Sequence, residues 1–171
     1  RIDDLSWSPD GETLAFAPFR AEVIRRDIAA LDVHSGRLRW LTDSTVPDAT
    51  TDFNTPDVSP DGTRLAVMVY VDELTGWDIA IFDMATGDLT PFYASALDEG
   101  RPAWSPDGTR LAVQSSGAFA PAEIRVIAVD DGAVIWGIGG YAPSWSPDGE
   151  RIVYVDSGTT ILSTDLYTAY I

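Results

Sequence analysis

The sequence predicts an all-β chain folded as a β-propeller, built from four consecutive four-stranded antiparallel blades. Three observations carry that reading. The pentapeptide Trp-Ser-Pro-Asp-Gly stands at 7–11, 104–108 and 145–149, and again at 58–62 with Val58 in place of Trp. Its Asp falls at 10, 61, 107 and 148, at intervals of 51, 46 and 41 residues, which is the period of a propeller blade or a solenoid unit. Each copy leads into an apolar run and then further short runs, four strands in about forty residues, the content of one blade.

The pentapeptide is a turn by its own chemistry. Pro presets φ for the second position of a type I turn, Asp tolerates the third, and Gly takes the left-handed conformation that follows. Such a turn joins two antiparallel strands as a three-residue hairpin with a bulge. The ring at Trp7, Trp104 and Trp145, just ahead of the turn, is expected in the core, filling the gap between neighbouring sheets.

The blades are expected at about 1–46, 47–96, 97–139 and 140–171. In the first, Asp4–Ser8, Thr13–Ala17, Ile28–Val33 and Arg37–Thr42 read as strands, with His34-Ser35-Gly36 a turn and Pro18–Arg26 a connection. Asp43–Asp57, acidic and containing Pro47 and Pro56, reads as the long connection into the second blade. There Arg64–Val71 is nearly continuous apolar, as suits a strand covered on both faces. Asp72–Gly76 is loop, and Trp77–Asp83 and Asp88–Tyr93 flank the turn Ala85-Thr86-Gly87. The third blade repeats the plan with Arg101–Ser105, Arg110–Gln114, Ile124–Val129 and Ala133–Ile138, its second turn being Asp130-Asp131-Gly132. The fourth has Tyr141–Ser146, Arg151–Val155, Thr160–Asp165 and Leu166–Ile171, without a Gly turn in its last hairpin. Pro and Gly spacing leaves no room for a helix of useful length.

Composition narrows the classes of function. At 171 residues and 45% hydrophobic content the chain is long and apolar enough to bury a core. No run approaches the ~20 apolar residues of a membrane-spanning helix, so membrane insertion is not expected. Arg1-Ile2-Asp3-Asp4 is no signal peptide, and a chain that does not open on Met is expected to be cleaved, trimmed or part of something longer. Cysteine is absent, which removes disulfides, thiolate metal sites and cysteine nucleophiles. The net charge is −16, and all 11 basic residues are Arg. A field of that sign repels nucleic acid and anionic lipid. A Lys-free acidic surface fits either a salt-rich habitat or a codon bias.

The pattern Pro-x-Trp-Ser-Pro-Asp-Gly followed by two apolar runs, an Asp-rich turn and a Leu-Thr ending resembles the TolB-type β-propeller repeat. That repeat is a relative of the WD40 blade and is also found in tricorn-like and dipeptidyl-peptidase-like proteins. Arg101-Pro102-Ala103-Trp104 and Ala142-Pro143-Ser144-Trp145 carry the lead-in, and Trp40-Leu41-Thr42 the ending. The chain departs from the pattern at Val58 and in the blade endings after the first. The resemblance covers almost the whole chain and implies the propeller fold. It also implies a periplasmic or extracellular setting, while the apolar outer faces of the first and last blades lead us to expect protein partners or further blades, a homodimer completing the ring among them. Function it leaves open, because many functions share the repeat.

Candidate chemistry is sparse. The single histidine, His34, lies in a turn, and no Gly-x-Ser-x-Gly elbow is present, so a Ser-His-Asp hydrolase has no parts here. Asp3/Asp4, Asp72/Glu73, Asp98/Glu99 and Asp130/Asp131 are carboxylate pairs in predicted turns, where solvated faces are expected. Asp43, Asp48 and Asp52 share a loop, but not with the spacing of a calcium loop. Gly137-Ile138-Gly139-Gly140 precedes no helix and carries no Lys, so it is no phosphate loop. No catalytic residue, metal ligand or cofactor is therefore expected.

Contact residues are expected instead. Trp40 and Trp136 fall in outer strands, where an exposed ring marks a contact surface, and Trp77 opens a strand beside a loop. Arg20, Arg25 and Arg26 form a cationic cluster in an acidic chain. In an antiparallel blade the first-to-second and third-to-fourth turns emerge on one face, and here these are tight. The other face holds Pro18–Arg26, Asp43–Asp57, Asp72–Gly76 and Ser115–Ala122, and binding residues gather on long loops. The expected role is a non-enzymatic protein-interaction scaffold. The alternatives are the propeller part of a larger serine hydrolase and a glycan or small-ligand module. An open arc of four blades would expose Leu14 or Phe16 at one end and Ile152 or Val153 at the other.

Overall fold

The computed structural model describes residues 5–22, 24–43, 51–72, 76–156 and 166–171, those at 71 and 72 without their side chains. The chain is all-β and forms four successive antiparallel sheets, one per blade. Blade one contains β1 (Leu5–Trp7), β2 (Thr13–Phe16), β5 (Ala29–Asp32) and β6 (Leu38–Trp40). Between β2 and β5 stands a small separate hairpin, β3 (Phe19–Arg20) with β4 (Arg25–Arg26), inside the segment expected to be an irregular connection. Blade two is β7 (Asp52–Val58), β8 (Arg64–Asp72), β9 (Gly76–Asp83) and β10 (Leu89–Tyr93). Blade three is β11 (Asp98–Trp104), β12 (Arg110–Gly117), β13 (Ala120–Ala128) and β14 (Val134–Gly139). Blade four holds β15 (Tyr141–Trp145), β16 (Arg151–Val155) and β17 (Leu166–Tyr170). Among the described residues no helix is long and apolar enough to cross a membrane.

The repeated turn forms as its composition dictates, and serine adds a second layer. In each copy the Ser hydroxyl donates to the Asp carboxylate two residues on, at 2.5–2.6 Å. The same carboxylate oxygen accepts the backbone N–H two residues further, at 2.9–3.0 Å. Gly11, Gly62, Gly108 and Gly149 sit at φ +70° to +73°, the left-handed region open to Gly at no steric cost. The turns then stack around the ring: Pro9, Pro60 and Pro106 stand 3.2–3.6 Å from where a Cβ would project from Gly62, Gly108 and Gly149 of the next blade.

Several expectations give way. Part of the supposed connection Asp43–Asp57 is β7, the innermost strand of blade two. Its apolar alternation is masked because one side faces the propeller axis, and Pro56 falls where the ladder is already interrupted by a bulge between Asn54 and Asp57. The same bulge recurs between Gly100 and Ala103 and between Tyr141 and Ser144. At each, the residue before proline is left-handed: Thr55 at φ +41°, Arg101 at +47° and Ala142 at +55°. A non-glycine residue there costs about 1–2 kcal/mol, so packing across the repeat must hold it. Ser115–Ala122 is no long loop either, since β12 and β13 pair out to Gly117 and Ala120. Asp72 likewise pairs with Gly76, while Glu73 lies outside the described residues. In blade four, Leu166–Tyr170 pairs directly with Arg151–Val155 and so holds the third place in its sheet, not the fourth. The strand expected at Thr160–Asp165 lies outside the described residues.

The core lies between blades. Ala15, Ala17 and Ile28 of blade one pack on Phe53, Leu65 and Val67 of blade two. Ala66 and Ile79 pack on Trp104, Leu111 and Val113 of blade three. Ala112, Ile124 and Val126 pack on Ile152 and Tyr154 of blade four. Ile152 is therefore buried inward, not on the outer side where an open end would leave it, whereas its neighbour Val153 alternates outward. Strand packing runs from blade one to two, two to three and three to four. Among the described residues no comparable packing joins blade four back to blade one.

Candidate functional site

Hairpins between second and third strands, together with the starts of the innermost strands, form one face of the arc. Two of its tips, those described in blades one and three, are apolar. Phe119, at the turn between β12 and β13, is fully exposed, and Ile24, at the turn between β3 and β4, is 78% exposed with φ +57°. Singly exposed apolar side chains are common, but these two recur at equivalent tips of blades one and three.

The hairpin bases of blades one and two are anchored by carboxylates at the start of the next blade's innermost strand. Asp52 accepts the Arg26 backbone N–H at 2.6 Å, and Asp98 accepts the Trp77 N–H at 3.2 Å. The β3–β4 hairpin has a second anchor in Arg20. Its guanidinium donates to Glu22 at 2.9 Å, to the buried Asp27 at 3.1 Å and to Asp43 at 3.3 Å, and lies 4.6 Å from the Trp40 ring centroid. The hydrogen bond to Glu22, helped by Asp27, holds the Arg20 charge more firmly than usual. Arg20 is thus spent within the chain, while the Arg25 and Arg26 side chains, half-buried, make no ion pair among the described residues. Between blades two and three, Glu99 is buried and accepts from the Ser95 and Ser115 hydroxyls. Burial pushes its carboxyl up, against the pull of Ser115 and Ser95, so this member of the Asp98/Glu99 pair is not on a solvated face.

The tryptophans divide. Trp136 is half-buried against the core shared by blades three and four, and Trp77 is half-buried beside Tyr70, with ring centroids 5.4 Å apart. Trp40 is exposed on the outer side of blade one. Among the motif residues Trp104 is 6% exposed and Trp145 packs on the third core, as expected, but Trp7 is 57% exposed. Trp7 is not core, because no blade covers that side of blade one among the described residues. The side chains expected to make contacts are therefore not brought together into one patch. Ile24 and Phe119 carry no motif and so are not among the contact residues expected from the sequence. The signal was there: one large apolar residue flanked by turn formers, as Phe119 is by Gly117 and Pro121.

A second concavity lies along the axis, a cleft of about 430 Å³ bordered by the three bulges and by Leu5. Asp57 lines it and ties three blades together, accepting the Ser6 hydroxyl and the Trp104 backbone N–H, both at 2.8 Å. Desolvation there raises its carboxyl despite both hydrogen bonds. The Thr55 hydroxyl, also at this cleft, is buried without a partner. Among the described residues no group of acidic or histidine side chains is arranged to hold a metal ion. His34 sits exposed in its turn, its backbone N–H bonded to Asp32.

No family model and no curated protein matches the chain. Solved structures do. The chain is similar to a protein designated TolB from Agrobacterium tumefaciens, at 22% identity and TM-score 0.73, over 100% of this chain and 59% of that one. It is similar to the β-propeller domain of the Trilobed protease from Pyrococcus furiosus, described as having an open velcro topology, at 16% identity and TM-score 0.69, over 98% and 53%. It is also similar to the acylaminoacyl peptidase of Pyrococcus horikoshii, at 15% identity and TM-score 0.67, over 99% of this chain and 31% of that one. The chain spans little more than half of the first two. At these identities the likeness is one of fold: four blades of the propeller type found in TolB and in these peptidases.

Proposed function

We propose that this arc of TolB-type propeller blades is a non-enzymatic protein-interaction scaffold that docks its partner on the face carrying the second-to-third-strand hairpins. One observation carries the reading: Ile24 and Phe119 stand exposed at equivalent tips of hairpins whose bases are fixed by buried or capped carboxylates. Rigidly held apolar side chains bind at little ordering cost. Arg25 and Arg26 beside Ile24 favour an acidic group on the partner. The Ser-Pro-Asp-Gly turns of the opposite face are small, polar and spent on their own hydrogen bonds.

Photo-crosslinking side chains placed one at a time at positions 24 and 119, and at 10 and 107 on the opposite face, test this in the cell of origin. Adducts from 24 and 119, lost when Phe119→Asp or Ile24→Asp is combined with the other probe, are expected. Adducts from 10 and 107 alone would reverse the assignment of faces. A second reading, the propeller part of a serine hydrolase, draws on the likeness to the Pyrococcus horikoshii peptidase, and it places any catalytic triad outside these 171 residues.

A further inference from the structure

At two of the three junctions between neighbouring blades an arginine fills the groove on the Ser-Pro-Asp-Gly face. The Arg three residues after the repeated Asp lies over the motif Trp of the next blade: Arg64 is 4.8 Å from the Trp104 ring centroid and Arg110 is 4.6 Å from that of Trp145. The guanidinium also meets Oδ2 of its own turn's Asp, at 3.6 Å from Arg64 to Asp61 and 3.4 Å from Arg110 to Asp107. Arg110 further donates to the carbonyl of Gly149, the turn Gly of the next blade, at 2.9 Å.

The junction between blades one and two keeps the acceptors and lacks the arginine. Thr13 stands in the Arg place and Val58 in the Trp place. The neighbouring row is thinned as well: Ala15 pairs with Ala30, where Ala66 pairs with Ile81 in blade two and Ala112 with Val126 in blade three. What is left is a cavity of about 300 Å³, bordered by Asp10, Thr13, Arg39, Val58, Gly62 and Met84. The matching groove between blades two and three has Arg64 in it.

The charged groups at this cavity are unspent. Asp10 Oδ1 accepts the Ser8 hydroxyl and the Glu12 backbone N–H. Its Oδ2 has no partner among the described residues, whereas Oδ2 of Asp61, Asp107 and Asp148 each meets an arginine. Arg39 lies opposite Ala30 in the register and so on the side facing blade two. Among the described residues it makes no ion pair.

We infer that this cavity binds a small ligand with a guanidinium at one end and a carboxylate at the other, as in free arginine or a carboxy-terminal arginine. The guanidinium takes the place of the missing side chain, donating to Asp10 Oδ2 and to the Gly62 carbonyl, the counterparts of Asp107 and Gly149. Val58 offers no ring, so the ligand's methylene chain rests on it and on Met84, as the apolar stem of a charged side chain does. The carboxylate pairs with Arg39, whose planar fork suits two parallel hydrogen bonds. Strands stand ~4.8 Å apart, and β5 separates the strand of Thr13 from that of Arg39, so the two charged ends of the cavity address opposite ends of a ligand. A net charge of −16 raises the local concentration of such cations. The site is internal to two joined blades, on the face opposite Ile24 and Phe119, and stands whatever docks on those tips.

Isothermal titration calorimetry of the full chain against L-arginine, alanyl-arginine, agmatine and citrulline tests it. Agmatine lacks the carboxylate, and citrulline has a neutral urea in place of the guanidinium. L-Arginine is expected to bind saturably with a Kd of about 1 mM or below, as suits a ligand of its size. Agmatine is expected to bind about tenfold more weakly, and citrulline not measurably, each having lost a charge-assisted pair. Alanyl-arginine binding as tightly as arginine identifies a carboxy-terminal arginine as sufficient, and binding of L-arginine alone identifies the free amino acid. Either supports the site. Asp10→Asn is expected to weaken arginine about tenfold, and Arg39→Gln to erase the preference for arginine over agmatine. Thr13→Arg combined with Val58→Trp restores the chain's own stack, and is expected to abolish binding without lowering the melting temperature, so that loss is not misfolding. The inference is overturned if neither arginine compound binds saturably, or if citrulline or agmatine binds as well as arginine. It is equally overturned by undiminished binding in Asp10→Asn or in the self-filled double variant.

Discussion

Asp10, Asp61, Asp107 and Asp148 occupy one repeated position and carry one pattern of hydrogen bonds, so they respond together to acid. The Ser59 hydroxyl and the Thr63 N–H and hydroxyl hold Asp61 at about 2. At Asp107 desolvation acts upward, yet Ser105 and Thr109 bring the carboxyl to about 2 as well. Asp10 and Asp148 are lowered by the hydroxyls of Ser8 and Ser146. A folded value below the unfolded one contributes stability above the unfolded value, near 4, and that contribution is lost as pH falls from about 4 to about 2. Glu99 and Asp57 work in the opposite sense: burial raises both, so their protonation favours the folded state as pH falls through those raised values. Urea midpoints are therefore expected to hold or rise slightly from pH 7 to about 5 and to fall below 4. Asp61→Asn with Asp107→Asn is expected to cost about 1 kcal/mol per site at pH 7, after allowance for screening at these exposed turns. That deficit shrinks towards pH 2. An equal deficit at pH 2 and pH 7 would show that these carboxylates do not drive the acid loss.

Strands and turns carry the next level of argument, and here the Arg-on-Trp stack can be weighed alone. Arg110→Ala and Trp145→Leu each remove several contacts, Arg110 also donating to the Gly149 carbonyl at 2.9 Å. A double-mutant cycle cancels these and leaves the pair. The expected coupling is about 0.5–1 kcal/mol, as for a partly exposed cation over an indole. A cycle at Thr13 and Val58, where no such stack exists, should give none. Coupling absent at Arg110–Trp145 would reduce the repeated stack to coincidence. The same elements show what could be read from the sequence. Turn residues are local, so Ser-Pro-Asp-Gly and the Gly-ending turns at 34–36, 85–87 and 130–132 were legible, and with them the blade count. β7 was hidden because a strand at the propeller axis keeps polar side chains such as Asp52 and Asn54. The left-handed residues at 55, 101 and 142 were hidden because proline signals only that its neighbour avoids the right-handed helix. Trp7 was misplaced for another reason: burial of a motif side chain depends on the blade before it, not on its own surroundings in sequence.

At the scale of the molecule, charge opposes compaction. The 11 arginines can neutralise at most 11 of the 27 carboxylates, which leaves the net −16 spread over a chain of 171 residues. Some pairs are already made inside single turns, such as Arg64 with Asp61, Arg110 with Asp107 and Arg151 with Asp148, all at 3.4–3.6 Å. Exposed pairs of that kind contribute little, so screening them loses little. Screening the unpaired excess gains more, because self-repulsion acts over the whole surface and salt shortens its reach from ~30 Å at 0.01 M to ~3 Å at 1 M. Sodium chloride is therefore expected to stabilise the fold by on the order of 1 kcal/mol between those limits, a rise in melting temperature of about 3 °C for a chain of this size. Differential scanning fluorimetry across that range is the measurement. A melting temperature that falls with salt would mean that the few ion pairs, Arg20 with Asp27 first among them, outweigh the sixteen uncompensated charges.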